Sequence, residues 1–199
     1  MGVLNITPDS FSDGGELFQA DTVVLDAVRT QALAMIESGA QVLDIGGESS
    51  RPGAQAVRPV EEQRRVLPVL EALSDLDVIL SVDTYHPETV HAAINYGAGM
   101  INDITGGRDP AVVSAVAGSN VAFALMHMQG SPQTMQQAPS YLDVVAEVSA
   151  YLRDRVVACV AAPHRMHGMC GGQLRFAGQH RRLRAPHRAY RACWQPRRM

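Results

Sequence analysis

Five times in the first 160 residues a short apolar, β-branched run ends in a polar group, turns, and leads into a stretch with helical spacing of its apolar positions. The runs expected as strands are Met1–Leu4 leading to Asn5, Val42–Ile45, Val78–Val82 leading to Asp83, Met100–Ile104 with Asn102 and Asp103, and Val121–Met126 leading to His127. In the first intervening helix Leu25, Val28, Ala32, Met35 and Ile36 share a face, with Asp21 as N-cap and Gly39 just past the end. The second should run from Pro59 to Leu73 with a kink at Pro68, and the third should begin with Pro87 in its first turn and end by Gly97. Asp109 and Pro110 supply the cap and first turn of a fourth that ends near Gly118, and the last spans about Ser140 to Ala158.

This alternation, with strands rich in apolar residues, points to a parallel sheet covered by helices. The polar residues choose between the two common architectures. Asn5, Asp44 with Glu48, Asp83, Asn102 and His127 all fall at or just beyond C-terminal strand ends. A doubly wound sheet concentrates its chemistry at one switch point, whereas a barrel brings several strand ends to one face. Neither a G-x-G-x-x-G nor a G-x-x-x-x-G-K loop occurs. The expected fold is therefore α/β, a (β/α)8 TIM-barrel type, incomplete, with about five βα units.

Charge changes the picture at one point. Up to Ala162 the chain has 20 carboxylates against eight arginines, a net of −12, while Pro163–Met199 has nine arginines and no acid, a net of +9. Lysine is absent throughout. The sequence thus divides into a barrel domain, 1–162, and an Arg-rich tail, 163–199, that reads as an out-of-frame extension outside the fold. No apolar stretch is long enough to span a bilayer and no basic-then-apolar leader opens the chain, which sets cytoplasmic localisation as the expectation. Cys159, Cys170 and Cys193 form no C-x-x-C pair and are read as free thiols.

Candidate chemistry sits in the loops. MGVLNITPDSFSDGG is a strand delivering a polar segment with one aromatic, Phe11; GGESSRPGA follows the second strand; and VILSVDT, IND and LMHMQG close the third, fourth and fifth. On residue type alone Asn5 also suits an Asx-turn, Asp83 a helix cap or core partner, and Met126 core packing. Together these runs resemble the dihydropteroate synthases, pterin-binding enzymes of folate synthesis and targets of sulfonamides. The resemblance implies condensation of 6-hydroxymethyl-7,8-dihydropterin pyrophosphate with p-aminobenzoate to give 7,8-dihydropteroate and pyrophosphate. It assigns Asn5 to Mg²⁺ held by the pyrophosphate, Asp83 and Asn102 to pterin hydrogen bonds, and Met126 to packing against the ring. Phe11, Ser50, Arg51 and Pro52 would form the p-aminobenzoate pocket, with Ser50 standing where the family usually has threonine. The aniline nitrogen attacks directly, so no residue is assigned as catalytic.

The resemblance runs to about Ala162. The family's later DPGFGFGK-like, SRK-like and RVHD-like segments are not found, and little synthase activity is expected of the chain as written. The two small substrates are the expected partners, with no membrane and with a homodimer for a full-length form. Two other readings stand beside this one. Pterin-binding barrels of corrinoid methyltransferases share the Asp and Asn logic but have no reason to keep the SFSDGG and ESSRPGA loops. A non-catalytic reading takes the tail as an anion- or nucleic-acid-binding arm, although its arginines follow no groove-binding pattern. His127 reads as a buried structural histidine, since no second ligand lies at metal spacing, and His164, His167 and Cys170 are only a weak metal pattern.

Overall fold

The structure, a computed structural model, describes residues 1–8, 17–19, 22–49, 56–132 and 134–162. In chain order its elements are β1 (Gly2–Asn5), β2 (Phe18–Gln19), β3 (Thr22–Val23), α1 (Leu25–Glu37), β4 (Val42–Gly46), α2 (Pro59–Leu73), β5 (Ile79–Asp83), α3 (Pro87–Asn95), β6 (Met100–Asp103), α4 (Pro110–Ala117), β7 (Ala122–Leu125) and α5 (Val144–Val160). Five strands form one parallel sheet in the order β1-β4-β5-β6-β7, and a helix follows each of them. Sequential parallel order with a helix per crossover is the arrangement of a (β/α) barrel wall, and the described strands form about five such units.

The two faces of the sheet differ in chemistry. Leu4, Leu43, Ile45, Leu80, Val82 and Ile101 point to one side and are buried under the helices, which contribute Val28, Ala32, Val66, Leu70, Val90 and Val112. Alternation sends Val3, Asp44, Ser81, Asp83, Met100 and Asn102 to the other side. The hydrophobic core thus lies between sheet and helices. The opposite face, which would be the interior of a closed barrel, is largely polar.

Several helix ends follow local rules. Gly39 and Gly97 take φ values of +95° and +89° just past α1 and α3, the left-handed conformation that ends a helix at little cost for glycine. Asp109 accepts the Ala111 N–H at 2.8 Å and so caps α4. The helix α2 has the expected bounds and runs through Pro68 as one element.

Two boundaries differ from expectation. The first helix begins at Leu25, with Val24 as an N-cap that makes no side-chain bond, so Asp21 is not its cap. The reason is the short antiparallel pairing of β2 with β3, closed by Val24 N–H to Leu17 O at 2.9 Å, which keeps Thr22 and Val23 in a strand. Leu25 is consequently among the exposed residues rather than on the core stripe. The last helix begins at Val144 rather than Ser140. Gln129 clamps Ser140 by two hydrogen bonds, and Asp143 caps the helix by accepting the Ala146 N–H. Among the described residues no helix is long and apolar enough to cross a membrane.

Candidate functional site

Parallel register aligns the strand ends into one row: Asn5 beside Gly46, Gly46 beside Asp83, Asp83 beside Asn102, and Asn102 beside Ala124. The sequence alone places these residues up to 119 positions apart, and the sheet makes them neighbours at its C-terminal edge. One row below lie Val3, Asp44, Ser81, Met100 and Ala122, on the same face. Met126 stands just beyond β7, two residues after Ala124, and is half-buried. Asn5, Asp83, Asn102 and Met126 therefore gather at one edge, whereas Phe11, Ser50, Arg51 and Pro52 lie outside the described residues.

Gly46 leaves room between Asn5 and Asp83. A Cβ there would stand 3.7 Å from Asn5 Oδ1 and 3.9 Å from Asp83 Cβ, so any larger side chain would fill the space between them. Among the described residues nothing hydrogen-bonds the Asp83 carboxylate, and burial is the main reason its pKa rises to about 7. The charges of Asp44, Glu62, Asp103 and Glu48, in that order, push it the same way. An aspartate near half-ionisation at neutral pH, on a polar face with no partner among the described residues, is suited to a ligand that brings hydrogen-bond donors.

Asn102 is held from below. Its Nδ2 donates to Asp44 Oδ2 at 2.9 Å, and the Ser81 hydroxyl donates to Asp44 Oδ1 at 2.6 Å. Asp103 points away from the site into the helix side, where it is fully buried and organises the loop to α4. Its Oδ1 accepts from the Thr105 N–H and hydroxyl, both at 2.7 Å, and its Oδ2 accepts the Gly107 N–H at 2.9 Å. Arg155 of α5 donates to the carbonyls of Gly106 and Gly107, tying that helix to the same loop.

A second polar cluster flanks the row. Glu48 Oε1 accepts the Tyr85 hydroxyl at 2.8 Å, and its Oε2 meets His86 Nε2 at 3.2 Å and the Val57 N–H at 3.3 Å. Glu62, 1% exposed, accepts the Thr84 hydroxyl at 2.8 Å. Burial pushes the Glu62 pKa up, opposed by the hydroxyls of Thr89 and Thr84 and by His86. The Thr89 hydroxyl lies close enough to favour the Glu62 charge but misses hydrogen-bond geometry, leaving Glu62 Oε1 and Thr89 Oγ1 without partners among the described residues. One ligand atom each from Glu48, Glu62 and His86 lie within 4.8 Å of one another. The cluster joins Glu48, and through it the Val57 N–H, to the loop after β5.

Sequence reasoning named Glu48 but missed this network. Its signal was Glu62 itself, which falls with Val66, Val69, Leu70 and Leu73 on the buried stripe of α2. A carboxylate on a core stripe needs partners from elsewhere in the fold. His127 packs its ring edge-on to Tyr151, centroids 4.8 Å apart at 88°, and against Tyr141 at 5.8 Å, an aromatic packing role.

Comparison with known proteins covers most of the chain. Residues 1–164 match the family model described as pterin binding enzyme. The dihydropteroate synthase of Escherichia coli is 47% identical over 163 residues, 81% of this chain and 56% of that protein. The Yersinia pestis dihydropteroate synthase, solved with a sulfonamide drug complex, superposes with a TM-score of 0.75 at 44% identity, covering 81% of this chain and 57% of that one. The Burkholderia cenocepacia enzyme complexed with 7,8-dihydropteroate gives 0.68 at 45% identity, covering 81% and 53%. The chain spans about 56% of the length of the curated relative from Escherichia coli.

Proposed function

The chain belongs to the pterin-binding enzyme family, and on that premise we propose that it carries the pterin half-site of a dihydropteroate synthase. The reaction joins a pterin methylene to the amino group of p-aminobenzoate: the carbon–oxygen bond to pyrophosphate breaks with its electron pair leaving on oxygen, a carbon–nitrogen bond forms, and the nitrogen sheds one proton. The observation that carries this reading is the row of Asn5, Gly46, Asp83 and Asn102 at the C-terminal strand ends, with the Asp83 carboxylate unpaired among the described residues. The Burkholderia cenocepacia relative, solved with 7,8-dihydropteroate, supports the substrate class.

In this reading the Asp83 carboxylate accepts hydrogen bonds from adjacent ring N–H and amino donors, and its charge favours the cationic character that develops on the methylene. Asn102 offers an acceptor and a donor to a mixed ring edge. Met126 covers the ring with a polarizable side chain. Asn5 would hold Mg²⁺ carried in by the pyrophosphate: its amide oxygen is a hard donor, and the gap over Gly46 leaves that oxygen accessible. When bound, the ion would offset charge on the leaving group. Phe11, Ser50, Arg51 and Pro52 would receive p-aminobenzoate. We place the barrel domain at 1–162, the tail outside it, and the protein in the cytoplasm.

The test is calorimetric titration of the purified chain with 6-hydroxymethyl-7,8-dihydropterin pyrophosphate, with and without Mg²⁺. Saturable binding strengthened by Mg²⁺ is expected, and absence of heat at millimolar ligand overturns the proposal. For the second substrate, Phe11→Ala, Ser50→Ala and Arg51→Ala should each weaken p-aminobenzoate or sulfonamide binding to the pterin-loaded protein. The expected loss is at least about tenfold, that of one or two polar or aromatic contacts, with pterin affinity changed less than about threefold. Equal losses for both ligands would make those loops supports of the fold.

A further inference from the structure

We propose that Asp44 is the positioning residue of the pterin half-site, setting which edge of the Asn102 amide faces the ligand; this rests on the pterin reading above. Asp44 is 5% exposed and lies one row beneath the strand ends, so it acts through its neighbours rather than by touching a ligand. Both its oxygens are engaged, Oδ1 by the Ser81 hydroxyl at 2.6 Å and Oδ2 by Asn102 Nδ2 at 2.9 Å.

The chemistry of the pair is directional. The oxygen and nitrogen ends of an asparagine amide are nearly the same size, and only their hydrogen-bond partners choose between them. An ionised carboxylate is acceptor-only, so it takes the Asn102 nitrogen; the flipped amide would set two acceptors against each other in a buried place. Ser81, fully buried, fixes the carboxylate from its other oxygen and prevents it from rotating away. Asn102 is left with its oxygen and its second N–H for the ligand, which is the donor–acceptor pair that a mixed ring edge requires.

Asp44 also lies diagonally from Asp83 on the same face of the β4–β5 pair, one row below it, and after burial its charge is the largest influence raising the Asp83 pKa, ahead of Glu62, Asp103 and Glu48. Orientation and charge can therefore be separated by two substitutions. Asp44→Ala removes both. Asp44→Asn keeps an oxygen that can accept from Asn102, and its own amide can donate to Ser81, while the charge is lost.

The experiment titrates wild type and both variants with 6-hydroxymethyl-7,8-dihydropterin pyrophosphate and Mg²⁺ from about pH 5.5 to 8.5. Asp44→Ala should weaken binding about thirtyfold, the scale of one hydrogen bond to a charged group. Asp44→Asn should lose less than about fivefold and move the acid limb of binding to lower pH, a split that a merely structural role does not produce. Unchanged binding by Asp44→Ala, or equal losses in both variants with an unshifted pH profile, overturns the assignment while the pterin reading stands. Absence of binding by wild type overturns both. Should the Asp44 variants fail to fold, the side-chain amide signals of Asn102 are compared by ¹⁵N NMR in wild type and Ser81→Ala. A pair locked in wild type and averaging in the variant supports the assignment, and free averaging in wild type overturns it.

Discussion

Asp83→Ala should abolish pterin pyrophosphate binding, while Asp83→Asn should make the empty protein more stable than wild type at pH 8. Both outcomes follow from one carboxylate whose pKa is raised to about 7, mainly by burial and then by the charges of Asp44, Glu62, Asp103 and Glu48. For a carboxyl raised above its ordinary value of 3.8, the stability it contributes is fully present below that value. It declines as pH rises from there to about 7 and is constant beyond. At pH 8 wild type therefore holds an ionised group that the fold alone disfavours. Each tenfold change in a group's proton affinity on folding corresponds to about 1.4 kcal/mol. Discounted for partial exposure, removing the charge with near-conserved shape should recover about 2 kcal/mol.

Denaturant midpoints of wild type and Asp83→Asn should nearly coincide below pH 4 and separate as pH rises to 8. Identical midpoints at both ends would show that Asp83 is not strained in the empty protein. The ligand reverses the balance, because its donors favour the charged form. Two hydrogen bonds to an ionised group, each worth roughly 1.5–3 kcal/mol, make the alanine loss greater than about a hundredfold. Wild-type affinity should fall about tenfold for each step of one in pH below 7. Near-normal affinity of Asp83→Ala in calorimetry would remove Asp83 from the site.

Gly106→Ala should be the most damaging single methyl in the β6–α4 loop. Gly106 has φ +71°, and a Cβ there would stand 2.5 Å from the carbonyl oxygen of Met126, a backbone atom that cannot swing aside. Its carbonyl also accepts from Arg155 Nε at 2.8 Å, and the next residue's N–H is held by Asp103. Left-handed backbone strain of about 1 kcal/mol adds to displacement of two packed loops, for a total of roughly 3 kcal/mol or more. In a domain of this size that lowers Tm by about 6–12 °C. Gly118→Ala is the control. Its φ is −81° and a Cβ would meet only helix carbonyls, Ser114 O at 3.4 Å and Ala115 O at 3.7 Å, so its cost should stay within about 0.5 kcal/mol. Similar Tm values for the two variants would show that the loop yields. Because the clash falls on Met126 and the loop follows directly on β6, which carries Asn102, Gly106→Ala should also weaken pterin binding.

Residue order alone determined the repeating strand–helix plan, the bounds of α2, the proline starts of α3 and α4, and the family to which the loops belong. These are local matters: apolar periodicity, a proline that fits a first turn, a glycine that accepts positive φ, and short polar runs that are contiguous in the chain. Even the residues of the row at the strand ends, Asn5, Asp83 and Asn102, could be named one by one. What residue order does not contain is register. Only the parallel pairing puts Asn5, Gly46, Asp83 and Asn102 side by side, sets Asp44 beneath Asn102, and sends the adjacent Asp103 to the opposite face to hold its own loop. The hairpin of β2 and β3 was likewise invisible, since two-residue strands leave no periodicity, and it moved the start of α1 past Asp21. Glu62 and His86 met Glu48 through packing of α2 against the loop after β5, a contact between segments that share no sequence pattern. Ionisation, too, was decided there. An aspartate becomes a group of pKa about 7 only when the fold removes its water and brings four other carboxylates near, and neither burial nor distance is a property of sequence order.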